Sequence, residues 1–301
     1  MGLKTTFEQW RMFKAVVDHG GFHQASQVVH KSQTTIHHAV HKLEESLGVT
    51  LLEVQGRKAV LTPAGQLMLR RANYLIDEAE KMEAVAKSLS MGVESRLDIA
   101  VDEAFPQAEL YQVLETVSAE FPFLRIELRE TVLSGANELV EQGKVVVAIS
   151  PMRLANGLNE EICQMCFIAV ASPNHPLLNR GRQLAVEDLK AYRQIVVRDS
   201  ALGSQHDAGW LGADQRWTVS HMRSSIDLVC RGLGFAWLPE SEISDKIAAG
   251  SLVRLPIPSA FDRHVSFYLN YKDPDQLGPA ARSFMGELRF QTQHLQLSAD
   301  K

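Results

Sequence analysis

The sequence predicts a mainly α winged helix-turn-helix at the N-terminus, a long linker helix, and a two-lobed α/β domain behind them. Three observations predict this. Residues 22–65 read as helix, tight turn, second helix and a short hairpin with a basic tip. From Gly65 to Ser90 there is no internal Pro or Gly, and apolar residues recur at spacings of four and three. From Arg96 onward short apolar strands alternate with helices, as parallel α/β structure requires.

The first helix is expected over about Thr6 to Asp18, with Phe7, Trp10, Phe13 and Val17 available for a core, and Gly20-Gly21 breaks it. A second helix, roughly His23 to His30, buries Ala25, Val28 and Val29. Ser32 is a good N-cap for a third, which runs through Thr34 to about Leu47 and stops at Gly48. Ile36, Val40, Leu43 and Leu47 form its inward stripe. At 100° per residue the opposite face carries Thr34, His38, His41 and Glu45, flanked by Thr35, His37 and Lys42. Their hydroxyls, imidazoles and ammonium suit base edges and phosphate oxygens, so the expected partner is double-stranded DNA. Leu51–Val54 and Ala59–Leu61 read as two short strands. The turn between them, Gln55-Gly56-Arg57-Lys58, offers Arg57 and Lys58 to phosphates or a minor groove.

The net charge of −5 hides an asymmetry. Residues 1–65 hold seven Lys/Arg and five Asp/Glu, a formal +2, which leaves −7 for the rest; six of the eleven His also lie between His19 and His41. Such a split marks a nucleic-acid module attached to something else. Its excess is modest, so affinity should depend on more than one copy on the DNA. The linker supplies the copies. Met68, Ala72, Leu75, Ala79, Met82, Ala86 and Leu89 make a heptad seam, with alanines that let two helices approach closely. Met91-Gly92-Val93 ends the helix.

Beyond it, Leu97–Val101, Leu124–Glu130 and Val145–Ile149 read as strands, with helices over about Gln107–Phe121 and Ser134–Gln142. A second unit begins near Phe167–Ser172 and includes Gln194–Arg198, a helix near Met222–Arg231, Gly234–Pro239 and a helix from Glu240. Arg263–Lys272 returns to the first unit as a strand, and Gly278–Gln293 closes it as a helix. In open α/β sheets ligands collect at the carboxyl ends of strands. That places Asp102, Glu103, Ala104 and Phe105 at a cleft, with Glu130, Thr131 and Val132 after the second strand. The other lobe offers Arg198, Asp199 and Ser200, and Ser220, His221 and Met222 near a helix start. Each polar residue there competes with a plain reading as helix cap or solvated loop.

The N-terminal motifs resemble those of LysR-type transcriptional regulators. They are Phe22, Ala25-Ser26, Ser32-Gln33, Lys42-Leu43-Glu44-Glu45, Leu47-Gly48-Val49-Thr50-Leu51-Leu52, Gly56-Arg57 and Leu61-Thr62-Pro63-Ala64-Gly65, in the family's order and spacing. His37-His38 departs from the pattern where the family usually has Ser then Arg or His, and Leu52 stands where it often has Phe. The two α/β lobes resemble the family's periplasmic-binding-protein-like effector domain, on the landmarks Gly232–Pro239 and Ser172–Leu177. That half of the likeness is weaker, with Val146 at a frequent Asp position.

The resemblance implies a DNA-binding domain over 1–65, a dimerising linker over 66–92 and an effector domain over 93–301. Lobe I would comprise about 93–165 and 268–301, and lobe II about 166–267. It implies DNA contacts from Ser32 and Gln33 beside the exposed face of the third helix, and assembly as a homodimer or homotetramer. It further implies a small-molecule effector between the lobes, and RNA polymerase as a partner. The family often has small hydroxyl residues after its first strand, so Asp102-Glu103 argues against a simple anionic effector unless Arg198 neutralises it. A cytoplasmic, membrane-free location is expected. There is no apolar run long enough to span a bilayer and no basic-then-apolar start, and three irregularly spaced Cys suit a reducing compartment.

Other chemistries are weaker readings. Cys163 and Cys166 form a CxxC on an expected strand, where they would face opposite sides. His37 and His41 lie one turn apart without an evident third ligand. Trp210 and Trp217 read as core or lobe contacts. No nucleophile elbow or other catalytic frame appears, so enzymatic activity is not expected, and no cofactor or metal is expected either. A ligand-independent or redox-responsive regulator, whose C-terminal domain serves assembly, is the alternative.

Overall fold

The computed structural model describes residues 2–55, 58–203 and 206–296. The chain divides into two compact units, Met1–Met91 and Gly92–Lys301.

The first unit holds α1 (Phe7–Asp18), α2 (Phe22–Val29), α3 (Gln33–Leu47), β1 (Leu52–Gln55), β2 (Lys58–Leu61) and α4 (Pro63–Ser90). Local chemistry sets the boundaries. Thr6 and Gln9 exchange side-chain-to-backbone hydrogen bonds in a capping box that opens α1. Ser32 Oγ accepts the Thr35 N–H to open α3, and Gly48 closes it at φ 70°. Thr62 caps α4 with Pro63 in its first turn. Gly65 must be glycine, because a Cβ there would lie 2.1 Å from the Leu51 carbonyl oxygen. β1 and β2 pair antiparallel, Leu52 opposite Leu61. Met12, Phe13, Val16, Ala25, Ile36, Val40, Leu43 and Leu51 form the core.

Two expected core residues lie outside it. Phe7 is exposed, because the inward face of α1 runs through Gln9, Met12, Phe13 and Val16; Trp10 and Val17 pack at its margin. Val28 is exposed, because Phe22, Ala25 and Val29 fill the one inward stripe of the eight-residue α2.

The second unit is built on one nine-stranded sheet. One lobe carries β3 (Arg96–Asp102), α5 (Gln107–Glu120), β4 (Arg125–Thr131), α6 (Gly135–Glu141) and β5 (Val147–Ser150), closed by α10 (Pro279–Gln296). The other carries α7 (Val186–Leu189), β7 (Arg193–Val197), β8 (Gln215–Val219), α8 (Met222–Cys230), β9 (Phe235–Pro239), α9 (Glu240–Ala248) and β10 (Val253–Arg254). Two long strands, β6 (Leu158–Ala171) and β11 (Arg263–Tyr271), run antiparallel through both. The order is β4-β3-β5-β11-β6-β9-β7-β8, with β10 on β6. β3 lies parallel to β4 and β5, and β7 to β8 and β9, so each lobe is a small parallel α/β layer. The register of β6 and β11 shifts between Phe267 and Tyr268. Leu97, Ile99, Phe105, Phe267 and Phe284 anchor the first core; Ile168, Val229, Leu238 and Ile243 anchor the second.

β6 starts nine residues before the expected Phe167, since its first half is polar and half-exposed. β8 was not expected at all. It is an edge strand, Gln-Arg-Trp-Thr-Val, exposed along most of its length and without apolar alternation.

Candidate functional site

α3 packs Ile36, Val40 and Leu43 inward and leaves Ser32, Gln33, Thr34, Thr35, His37, His38, His41 and Lys42 exposed. Not all of these are equally available. Ser32 and Thr35 bond one another in the cap, and the His37 ring lies 5.1 Å from the Phe22 ring. Gln33, Thr34, His38, His41 and Lys42 have no partner among the described residues. They form a continuous polar face of hydroxyl, amide, imidazole and ammonium groups, which is what reading base edges and phosphates requires. Arg57 lies outside the described residues, and Lys58 opens β2.

Along α4 the heptad seam divides. Met68 packs at the margin of the first unit's core, and Ala72 and Ile76 are buried. Further on, Leu75 is 46 % exposed, Met82 69 % and Leu89 52 %, while Ala79 is half-buried and Ala86 exposed.

In the second unit a cavity of about 470 Å³ opens between the lobes. Asp102, Ala104, Val132, Arg198, Asp199 and Met222 line it. Seven other expected residues do not, and of these Glu130 and Ser220 are exposed to solvent. Phe105 is in the first lobe's core, where its ring meets Phe267. Thr131 is buried, its hydroxyl donating to the Val101 carbonyl. Glu103, His221 and Ser200 instead tie the lobes together. The Glu103 carboxylate accepts the Met222 N–H at 2.6 Å and sits 2.6 Å from His221 Nδ1, so it both caps α8 and pairs with its N-cap residue. That partner raises the His221 pKa. Ser200 Oγ accepts the Val132 N–H at 2.9 Å, and Asp199 accepts the Ser134 N–H at 3.2 Å. Gly135 permits this approach, since a Cβ there would lie 1.9 Å from Ser200 Oγ.

Asp102 is 3 % exposed and accepts N–H bonds from Ala104 (2.9 Å) and Leu133 (2.6 Å). Burial outweighs those bonds and pushes its pKa up to about 7. Leu133 holds φ at 54°, a conformation side chains rarely adopt, pinned by that bond and by Ser150 Oγ on its carbonyl.

The rest of the wall was not foreseen. Gln194 is 3 % exposed; its Nε2 donates to the Trp210 carbonyl at 2.7 Å, and its Oε1 has no partner among the described residues. Ser225, 1 % exposed, likewise has an unpartnered Oγ. Arg263 is half-buried with its guanidinium 6.0 Å over the Phe167 ring, and desolvation lowers its pKa. Trp210 packs on Phe235 and Trp237 as a lobe contact, but both tryptophans also face the cavity. Trp217 is not on the wall; Arg193 stacks on it at 4.0 Å. Ser225 lies one helical turn beyond His221-Met222, so helical spacing alone could have found it.

Cys163 and Cys166 sit on β6 and contribute to different cores. Burial pushes the Cys163 thiol up to about 12 and raises Cys166 as well.

Comparison with known proteins bears on both units. The family model for the bacterial regulatory helix-turn-helix protein, lysR family, matches residues 7–66, and that for the LysR substrate binding domain matches residues 91–293. HTH-type transcriptional regulator YhaJ of Escherichia coli O157:H7 is 27 % identical over 252 residues, 82 % of this chain and 84 % of that one. A Streptomyces viridosporus protein named "Probable hydrogen peroxide-inducible genes activator" is 28 % identical over 246 residues, 78 % of each. Among solved structures, CrgA, a LysR-type transcriptional regulator from Neisseria meningitidis, shares the fold with a TM-score of 0.53 at 21 % identity, covering 97 % of this chain and 99 % of that one.

Proposed function

This chain belongs to the LysR family of bacterial helix-turn-helix regulators, and on that premise we propose that a small-molecule effector held between its α/β lobes sets how it engages operator DNA. It is a DNA-binding transcriptional regulator and not an enzyme. The observation that carries the gating is the cavity of about 470 Å³. Its wall draws on β3, on β7 and α8, and on both crossing strands, so a bound molecule touches both lobes at once. A ligand with such contacts favours whichever lobe arrangement fits it.

The exposed face of α3 would lie in the major groove, with His38 and Thr34 central and Lys42 on phosphate. The uncovered apolar residues of α4 support a dimer through Leu75, Met82 and Leu89, and a tetramer would follow from further contacts. Action in the cytoplasm and contact with RNA polymerase go with this role. A redox-gated reading, which the Streptomyces relative's name suggests, is disfavoured by the chemistry of β6. A thiol whose pKa is near 12 supplies almost no thiolate at neutral pH, and its neighbour lies on the other face.

Thermal unfolding of the full chain against a metabolite collection tests the gating. A bound effector should raise Tm in a concentration-dependent way. No shift with any compound, together with operator binding that no compound alters, would leave the ligand-independent reading.

A further inference from the structure

We infer that the cavity takes an aromatic carboxylate bearing a hydroxyl or amino donor, with Arg263 holding the carboxylate and Gln194 accepting the donor. This rests on the reading of the C-terminal unit as ligand-responsive.

Arg263 opens β11 on the cavity wall. Its side chain lies over Phe167 and against Gly209, where a Cβ would fall 2.1 Å from Nη1. Among the described residues no carboxylate lies within ion-pair distance, and burial alone displaces its pKa, downward. A half-desolvated cation without a counter-ion is unfavourable, and a ligand carboxylate would offset that. The planar guanidinium fork matches a carboxylate better than any neutral group.

Three acids line the wall; two of them are otherwise engaged, and the third, Asp207, makes no ion pair with Arg263 among the described residues. Asp199 accepts N–H bonds from Ser134, Ala201 and His206. Asp102 is bonded to Ala104 and Leu133, and its burial favours the neutral form. Glu103 is spent on α8 and His221. The acidic pair after β3 therefore does not exclude an anion.

Gln194 supplies the second requirement. Its amide is oriented by the bond to the Trp210 carbonyl, which leaves Oε1 as a buried acceptor that only a donor can satisfy. Ser225 Oγ is a second open group on the wall. Gly209 and Trp210, which position Arg263 and Gln194, are chain neighbours, so one small molecule can meet both. The third requirement is a ring. Trp210 and Trp237, 5.5 Å apart, and Phe167 present aromatic surface to the cavity, which suits tilted or offset stacking. The volume is ample for a single-ring acid.

Titration calorimetry and Trp fluorescence of the full-length protein decide the point. The probes are hydroxybenzoates and aminobenzoates substituted ortho, meta or para, the matching benzamides, and unsubstituted benzoate. At least one substituted acid should bind at low-millimolar concentration or below, and its benzamide at least about tenfold more weakly. Arg263→Gln should weaken the acid by about tenfold or more while leaving the benzamide unchanged. Gln194→Glu, of equal size, serves if Arg263→Gln fails to fold: it supplies a competing carboxylate and should weaken the acids selectively. An amide as tight as its acid, an acid indifferent to both variants, or no binding by any acid overturns the inference. If amino acids or sugar phosphates instead raise Tm, the inference fails while ligand gating stands; if nothing binds, both fail.

Discussion

His38 and Thr34 lie at the centre of the exposed face of α3, clear of the cap that occupies Ser32 and Thr35 and of the Phe22 ring that holds His37. On the proposed docking of α3 in the major groove, base readout would fall on them, and phosphate contact on Lys42. His38→Ala should cost roughly 1–3 kcal/mol of specific binding and spare weak non-specific binding. A footprint titration that finds wild-type affinity would misplace the helix. In the cavity, the folded Asp102 pKa near 7 stands above its ordinary value, so the native state holds the extra proton. This group's contribution is most favourable at acid pH and is lost as pH rises from about 4 through 7. The change in Tm between about pH 5 and pH 8 should shrink in Asp102→Asn; an equal change would show that Asp102 does not titrate in that window. The α3 face was legible because one helix presents it with a regular period. Gln194 and Arg263 were not legible. They come from β7 and β11, and nothing local in either strand announces a shared cavity.

At the scale of elements, α4 makes the strongest claim. In its first turns Met68 packs at the margin of its own domain's core, and Ala72 and Ile76 are buried. It leaves Leu75, Met82 and Leu89 uncovered at heptad spacing. Leu75→Glu would place an unpaired charge in an apolar seam, at a cost of several kcal/mol. The variant should sediment as a monomer or aggregate and lose operator binding with the avidity of two domains. A soluble dimer of normal affinity would show that the seam packs within one chain. The α/β elements were readable wherever apolar and polar residues kept a period. They were missed where solvent took over. β8 is an exposed edge, and the first half of β6 carries Glu160, which pairs with Arg289, and Glu161, which takes the Ser266 hydroxyl. Polar partners in a crossing strand look like loop in a hydropathy pattern.

For the whole molecule the charge division matters most: a basic reading module on an acidic sensing unit, joined by a helix with an apolar seam. The two α/β lobes meet through Glu103 with His221 and Met222, and through Asp199 and Ser200 with Ser134 and Val132. These bridges fix one arrangement of the lobes, which a ligand in the cavity would favour or strain. If a bound ligand shifts that arrangement as proposed, DNA binding and ligand binding are linked, and each must change the other by the same factor. Nuclease footprinting of the full-length protein on the DNA flanking its own gene, with and without the best-binding substituted benzoate, measures that linkage. The account predicts a protected operator whose affinity or extent of protection shifts with the acid, and a shift that disappears in Arg263→Gln. An operator protected identically at every concentration of an acid that demonstrably binds would contradict it.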